Sequence, residues 1–208
     1  MQHVLRLGVY YDGNYFYYGS NFFKYQSRNG RINLRGLHRL VRKFVADREN
    51  HDIRSTQIVE AAYYRGRTSL DNTKDIEAER GFDLVLMNAG VTPHYFPVDE
   101  TSEGKEKGII SSFALDVYDA AVNDDIDVAV LITGDGEYVP LLQKLNTCGV
   151  RSLVTHFQYE AYLGENGHRF NGSYPSSALI DNGTYQLNLN WVIHAERYQD
   201  MIEDLFVA

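Results

Sequence analysis

Two short acidic turns carry the residues of this chain best suited to chemistry. Asp12-Gly13-Asn14 closes the apolar run Arg6–Tyr11, and Thr133-Gly134-Asp135-Gly136-Glu137 closes the apolar run Asp127–Ile132. An apolar run ended by a small polar turn reads as a buried strand that delivers its last residues to the carboxyl edge of a sheet. In open α/β sheets, ligands bind at that edge, near the point where strand order reverses. Asp12 and Asp135, each with a second polar residue two positions on (Asn14 and Glu137), therefore outline one shared acidic site. Clustered carboxylates repel one another, and a divalent cation relieves the repulsion. Hard oxygen donors with no Cys/His spacing nearby select Mg²⁺ or Mn²⁺. The plain structural reading stands beside this one, because Asp is an ordinary turn former and helix N-cap. The seven histidines are scattered and take no ligand role.

The elements that must position these turns follow from periodicity. Asn33 is a plausible N-cap for a helix whose Leu34, Leu37, Leu40, Val41, Phe44 and Val45 recur at helical spacing. Gln57–Tyr64 reads as a strand. Asp75–Ala89 reads as a helix weakened by Gly81, and Val91–Val98 as a strand that Pro93 confines to an edge. Ile109–Val122 is expected to be helical, as is Val139–Thr147, with Gly149 a fitting left-handed cap. Val150–Phe157 is the next strand. Strands alternating with helices predict a three-layer α/β/α fold with a mainly parallel central sheet. Residues 158–175 read as a long loop, followed by Thr184–Ile193, strand or irregular, and a short helix in His194–Phe206. This divides the chain into a domain over residues 1–157 and an extension, 158–208, packing on it.

With 208 residues the chain can bury one substantial core, and its 44% hydrophobic and 23% charged content are those of an ordinary globular protein. No run approaches the roughly 20 apolar residues of a membrane span, so no membrane partner is expected. The absence of a signal-peptide pattern and of a disulfide framework points to the cytoplasm. The lone Cys148 is expected to be a small packed side chain. The net charge of −8 argues against a general nucleic-acid coat, but the charge is uneven. Residues 1–46 hold eight Lys/Arg and one acid, while the remainder holds 12 Lys/Arg against 27 acids. Arg35 and Arg39, on the first amphipathic helix, are therefore candidate phosphate contacts, with a solvated helix face as the alternative. Seven aromatics between Tyr15 and Tyr25 can build core or stack unpaired bases.

The segments VYYDGNYFY and AVLITGDGEYVPLLQKLNTCGV resemble the NYN domains, the LabA-like branch of the PIN-like nucleases. Thr133 to Pro140 follows the family's Ser/Thr-Gly-Asp-x-Asp, aromatic, Val-Pro pattern, with Glu137 at the last acidic position. Lys107-Gly108-Ile109, with Asp116 further on, matches the family's intervening Lys-Gly segment, so the resemblance spans roughly residues 6–157. It implies a PIN-like fold and metal-dependent endonucleolysis of RNA, single-stranded or structured, with Mg²⁺ or Mn²⁺ as cofactor. By position, Asp12, Asp135 and Glu137 would be the catalytic, metal-site acids. Asn14 would orient one of them or contact substrate, Thr133 would offer a hydroxyl in the turn, and Lys107 would stand near the substrate. A homo-oligomer is left open.

One departure limits the resemblance. Where the family carries a third acid this chain has Ile110. Asp116 lies six residues later, about 600° of helical rotation and about 9 Å along the axis, so it faces elsewhere and is at most a secondary site residue. Ser111, Glu106 or Glu103 could compensate in part. The alternative to a nuclease is therefore a degenerate NYN domain that binds RNA or a regulatory partner without cutting. GDGEY also resembles the late motif of haloacid-dehalogenase phosphatases, but those require a second Asp two residues after the nucleophile, where this chain has Asn14.

Overall fold

The structure is a computed structural model that describes residues 4–27, 29–67, 73–98, 108–163 and 169–207, with the backbone alone for 73–75. In chain order it runs β1 (Leu5–Asp12), α1 (Gly13–Tyr25), β2 (Arg31–Ile32), α2 (Leu34–Arg48), β3 (Thr56–Arg67), α3 (Thr73–Asn88) and β4 (Thr92–Pro97). It continues with α4 (Ile109–Val122), β5 (Val128–Ile132), α5 (Val139–Thr147) and β6 (Arg151–His156). The hairpin β7 (Tyr162–Leu163) and β8 (Arg169–Phe170) follows, then α6 (Ser177–Asn182), β9 (Tyr185–Asn188), α7 (Leu189–Val192), α8 (Gln199–Leu205) and β10 (Phe206–Val207).

Six strands form one sheet in the order β4-β3-β1-β5-β6-β9, every neighbouring pair parallel. The chain winds outward from β1 through β3 to β4, crosses back to β5, and winds outward the other way through β6 to β9. Because parallel crossovers are right-handed, reversing the direction of winding moves the helices to the opposite face. The packing follows this rule. Val9 and Tyr11 of β1 bury one face against α1, α2, Leu86 of α3 and the C-terminal helices, whereas Tyr10, Ala129 and Leu131 bury the other against α4, α5 and Leu179 of α6. The result is a three-layer α/β/α sandwich.

Local chemistry explains the elements nearest the site. Central strands buried on both faces need continuous apolar runs, and β5 is buried at every position from Val128 to Ile132. Pro93 lies in β4, an edge strand, where a missing N–H is tolerated. Asn33 caps α2 by accepting the Arg35 N–H, and Gly149 adopts φ +76° just past α5. The aromatic segment after Asp12 forms α1. Three of its seven rings, Tyr15, Phe16 and Phe23, are buried in the core, while Tyr18 is exposed. Cys148, expected to be packed, is instead exposed, because it falls at the end of α5 with only Leu141, Leu142 and Leu145 of that helix turned inward. Residues 158–175, read from sequence as a loop, contain the antiparallel pairing of β7 with β8 and a further bridge between Tyr159 and Ser173.

Two consequences are measurable. A Cβ at Gly19 of α1 would lie 1.7 Å from the ring of Phe157, itself fully buried and stacked on Tyr15 at 4.5 Å. Gly19→Ala is expected to lower stability by about 3 kcal/mol in urea unfolding, since a dense core cannot yield the space. His38 packs beside Tyr11, and burial, aided by the Arg42 charge, pushes its pKa from 6.5 down to about 4. The unfolded chain then binds the proton more tightly than the folded one. Stability is complete above about pH 6.5 and falls as pH drops toward 4, by about 2 kcal/mol at pH 5. Chemical denaturation between pH 7.5 and 5 should show this slope, and His38→Gln should reduce it, leaving the share of His156, whose pKa burial also lowers.

Candidate active site

The reversal of strand order falls between β1 and β5, so a crevice opens between their carboxyl ends. Asp12 ends β1 and also caps α1, its Oδ1 accepting the Tyr15 N–H at 3.2 Å. Its Oδ2 accepts the hydroxyl of Thr133 at 3.1 Å, just past the end of β5. Thr133 is fully buried, and its Oγ1 in turn accepts the Asp135 N–H at 3.2 Å. Asp135 then accepts the Glu137 N–H at 2.9 Å, capping the 3₁₀ turn Gly136–Tyr138 from which α5 begins. One hydroxyl thus links the two acidic turns. Each carboxylate also sits at a helix start, Asp12 directly before α1 and Asp135 one short turn before α5, where the partial positive charge of the helix end lowers the cost of an anion.

Glycines let the backbones close up here. A Cβ at Gly13 would meet the Tyr64 carbonyl of β3 at 2.5 Å, and one at Gly134 would meet the Tyr15 ring at 2.7 Å. Tyr15 is held in turn, because its hydroxyl donates to the Phe157 carbonyl and accepts the Phe157 N–H at 2.9 Å. Burial and the Asp12 charge keep this phenol protonated well above its ordinary range.

The crevice is an open cleft of about 750 Å³. Asp12, Asn14, Asp135 and Glu137 all line it, so the structure brings these sequence candidates together, with Thr133 beneath. Ile110 and Ser111, at the start of α4, form part of the wall, and Ile110 stands where an acid was looked for. Asp116 does not line the cleft. It accepts the Tyr64 hydroxyl at 2.8 Å and lies 3.9 Å from His94, beside β3 and β4. Arg35 and Arg39 lie elsewhere as well. Arg35 donates to the Asn88 carbonyl at 2.9 Å and Arg39 pairs with Asp204, in a group of basic residues on α2 joined by Arg54 of the 3₁₀ turn before β3. Lys107, with Glu103 and Glu106, lies outside the described residues.

Sequence reasoning missed one wall entirely. Ser173, Tyr174 and Ser176, from the segment before α6, line the cleft, and the Ser176 N–H donates to the Gly134 carbonyl at 2.9 Å. A Cβ at Gly136 would come within 2.8 Å of the Ser176 hydroxyl, so a small residue between the two acids was the one local sign of a close neighbour.

The donor set bears on a metal. All polar lining groups are oxygen-bearing or amide side chains, and neither His nor Cys is among them, which fits Mg²⁺ or Mn²⁺ in kind. In number the site is lean. Among the described residues no group of three His, Cys, Asp or Glu side chains is gathered closely enough to hold an ion. A cation held by one or two carboxylates, with water and phosphate oxygens completing its shell, is the arrangement two turn acids can support.

Comparison with known proteins places this geometry. No curated protein sequence matches the chain. The crystal structure of a protein of unknown function from Vibrio parahaemolyticus superposes with a TM-score of 0.61 over 91% of this chain and 95% of that chain, at 17% identity. At that identity the likeness is one of fold. Among the described residues no helix is long and apolar enough to cross a membrane. The family model of the NYN domain matches residues 6–164, from β1 through both acidic turns and past β7. The chain therefore belongs to the NYN domain family, of the PIN-like nuclease superfamily.

Proposed function

We propose that this protein is a Mg²⁺- or Mn²⁺-dependent endoribonuclease acting in the cleft between β1 and β5. The supporting observation is the joining of Asp12 and Asp135 through the Thr133 hydroxyl at the point where the strand order reverses. Asp12 and Asp135, with Glu137 beside them on the cleft wall, would hold the ion, which would supply activation of a water and offset charge developing on the phosphate. The chain's own residues do the rest. Thr133 keeps the Asp12 carboxylate turned toward Asp135, Asn14 offers an amide to a substrate oxygen, and the two helix starts stabilise negative charge in the cleft. On this reading residues 1–157 are the nuclease-like domain, and residues 158–208 are an extension that walls its cleft.

Incubation of single-stranded and structured RNA with the protein should give Mn²⁺-stimulated cleavage that EDTA abolishes. Asp135→Asn should lower the rate at least about 100-fold, the scale on which loss of charge stabilisation acts. An unchanged rate in that variant would sink the proposal.

Ile110 supports a second reading, binding of RNA without hydrolysis. It puts an apolar side chain on the cleft wall where a third acid would strengthen the metal site. The two readings part at Ile110→Asp. A nuclease with a lean site should gain Mn²⁺ affinity by calorimetry and cut faster at low Mn²⁺. A pure binding module should bind RNA and leave it intact in any concentration of Mn²⁺.

A further inference from the structure

Beyond the acidic cleft, and sharing Tyr15 and Ser173 with it, lies a second open groove of about 380 Å³. Its walls are Tyr18 of α1, Tyr159 and the end of the hairpin, Arg169 to Ser173. That volume lies in the roughly 300–1,000 Å³ range of small-ligand sites. The groove is built rather than incidental. The hairpin is fastened to α1 because the Tyr162 hydroxyl donates to the Tyr18 carbonyl at 3.0 Å and Tyr159 stacks on Phe22 at 5.5 Å. Phe170 stacks on Tyr162 at 5.0 Å and meets Tyr18 at 5.5 Å, so the Tyr18 ring is backed on one side and 36% exposed overall. Across Ser173, Tyr174 lines the acidic cleft with 67% of its surface exposed.

The charge of this groove differs from that of the cleft. No carboxylate lines it. Among the described residues none pairs with Arg169, whereas Arg39, Arg54, Arg151 and Arg197 each meet one. An exposed guanidinium beside an exposed aromatic ring, Tyr18, is the chemistry that holds a phosphate and the flat face of an unpaired base.

We infer that this groove is a subsite for unpaired nucleotides next to the scissile phosphate. Tyr174 takes the base nearest the acids, Tyr18 the base beyond Ser173, and Arg169 the phosphate of that second nucleotide. The inference rests on the nuclease reading for the place of the scissile phosphate, and it selects single-stranded over duplex RNA, because paired bases keep their faces covered.

The test measures binding with cleavage silenced. In EDTA, fluorescence anisotropy with a labelled single-stranded oligoribonucleotide, and with the same strand annealed to its complement, is recorded for wild type, Tyr18→Ala, Tyr174→Ala, Arg169→Ala and Tyr18→Trp. Each alanine variant should bind the single strand roughly 5- to 100-fold more weakly, the effect of one lost base–aromatic or phosphate contact. Tyr18→Trp should retain affinity, and wild type should prefer the single strand to the duplex. Alanine variants that bind like wild type, equal affinity for the duplex, or a wild type that binds neither RNA would each overturn the subsite. The nuclease reading is judged separately by wild-type cleavage in Mn²⁺. A protein that cuts RNA yet shows no loss in the alanine variants keeps its activity and loses this groove. One that never cuts, but binds the single strand through Tyr18 and Tyr174, keeps the groove and loses the nuclease.

Discussion

Parallel pairing of β1 with β5, flanked by windings in opposite directions, is the constraint on which the site depends. Right-handed crossovers send the helices of the first half to one face and those of the second half to the other. The backbones leaving β1 and β5 then diverge above a gap, where the cleft opens. Asp12 and Asp135 occupy that gap because Asp12 is the last residue of β1 and Asp135 lies in the turn that follows the fully buried β5. The acids are near each other through topology, although 123 positions separate them in the chain.

A gap alone would leave the two turns free to drift, and the Thr133 hydroxyl restrains them. It donates to one turn and accepts from the other, and Thr133 itself is fully buried beneath them. Tyr15 provides a second brace. Its ring lies against Gly134 and stacks on Phe157, and its hydroxyl satisfies both the N–H and the carbonyl of that residue at the end of β6. Three strand ends are thereby tied together beneath the cleft. The arrangement concentrates carboxylates at helix starts, where their charge is best tolerated.

The residues after β6 have two structural tasks. β9 adds the last strand to the sheet, and α8 with β10 packs back on α2 and β2. The hairpin between β6 and β9 leans on α1 through an aromatic cluster of Phe22, Tyr159, Tyr162 and Phe170, and is followed by Ser173, Tyr174 and Ser176 on the cleft wall. The site is therefore acidic on the β1–β5 side and aromatic on the hairpin side.

The local sequence determined the alternation of strands and helices, the edge position of the strand with Pro93, the Asn33 cap and the two acidic turns, because each rests on periodicity or on one residue's backbone chemistry. The NYN motif was legible for the same reason, being contiguous from Thr133 to Pro140. Tertiary structure decided the remainder. That Asp12 and Asp135 share one cleft depends on strand order, which periodicity does not encode. That Asp116, Arg35 and Arg39 stand outside it depends on which way each helix face turns when packed, and their partners, Tyr64, Asn88 and Asp204, lie 52, 53 and 165 residues away. The wall of Ser173, Tyr174 and Ser176 was invisible for a related reason. Its hairpin has no apolar alternation of its own, and it is held by rings and by one backbone bond to Gly134 that exist only once α1, β5 and β6 are assembled.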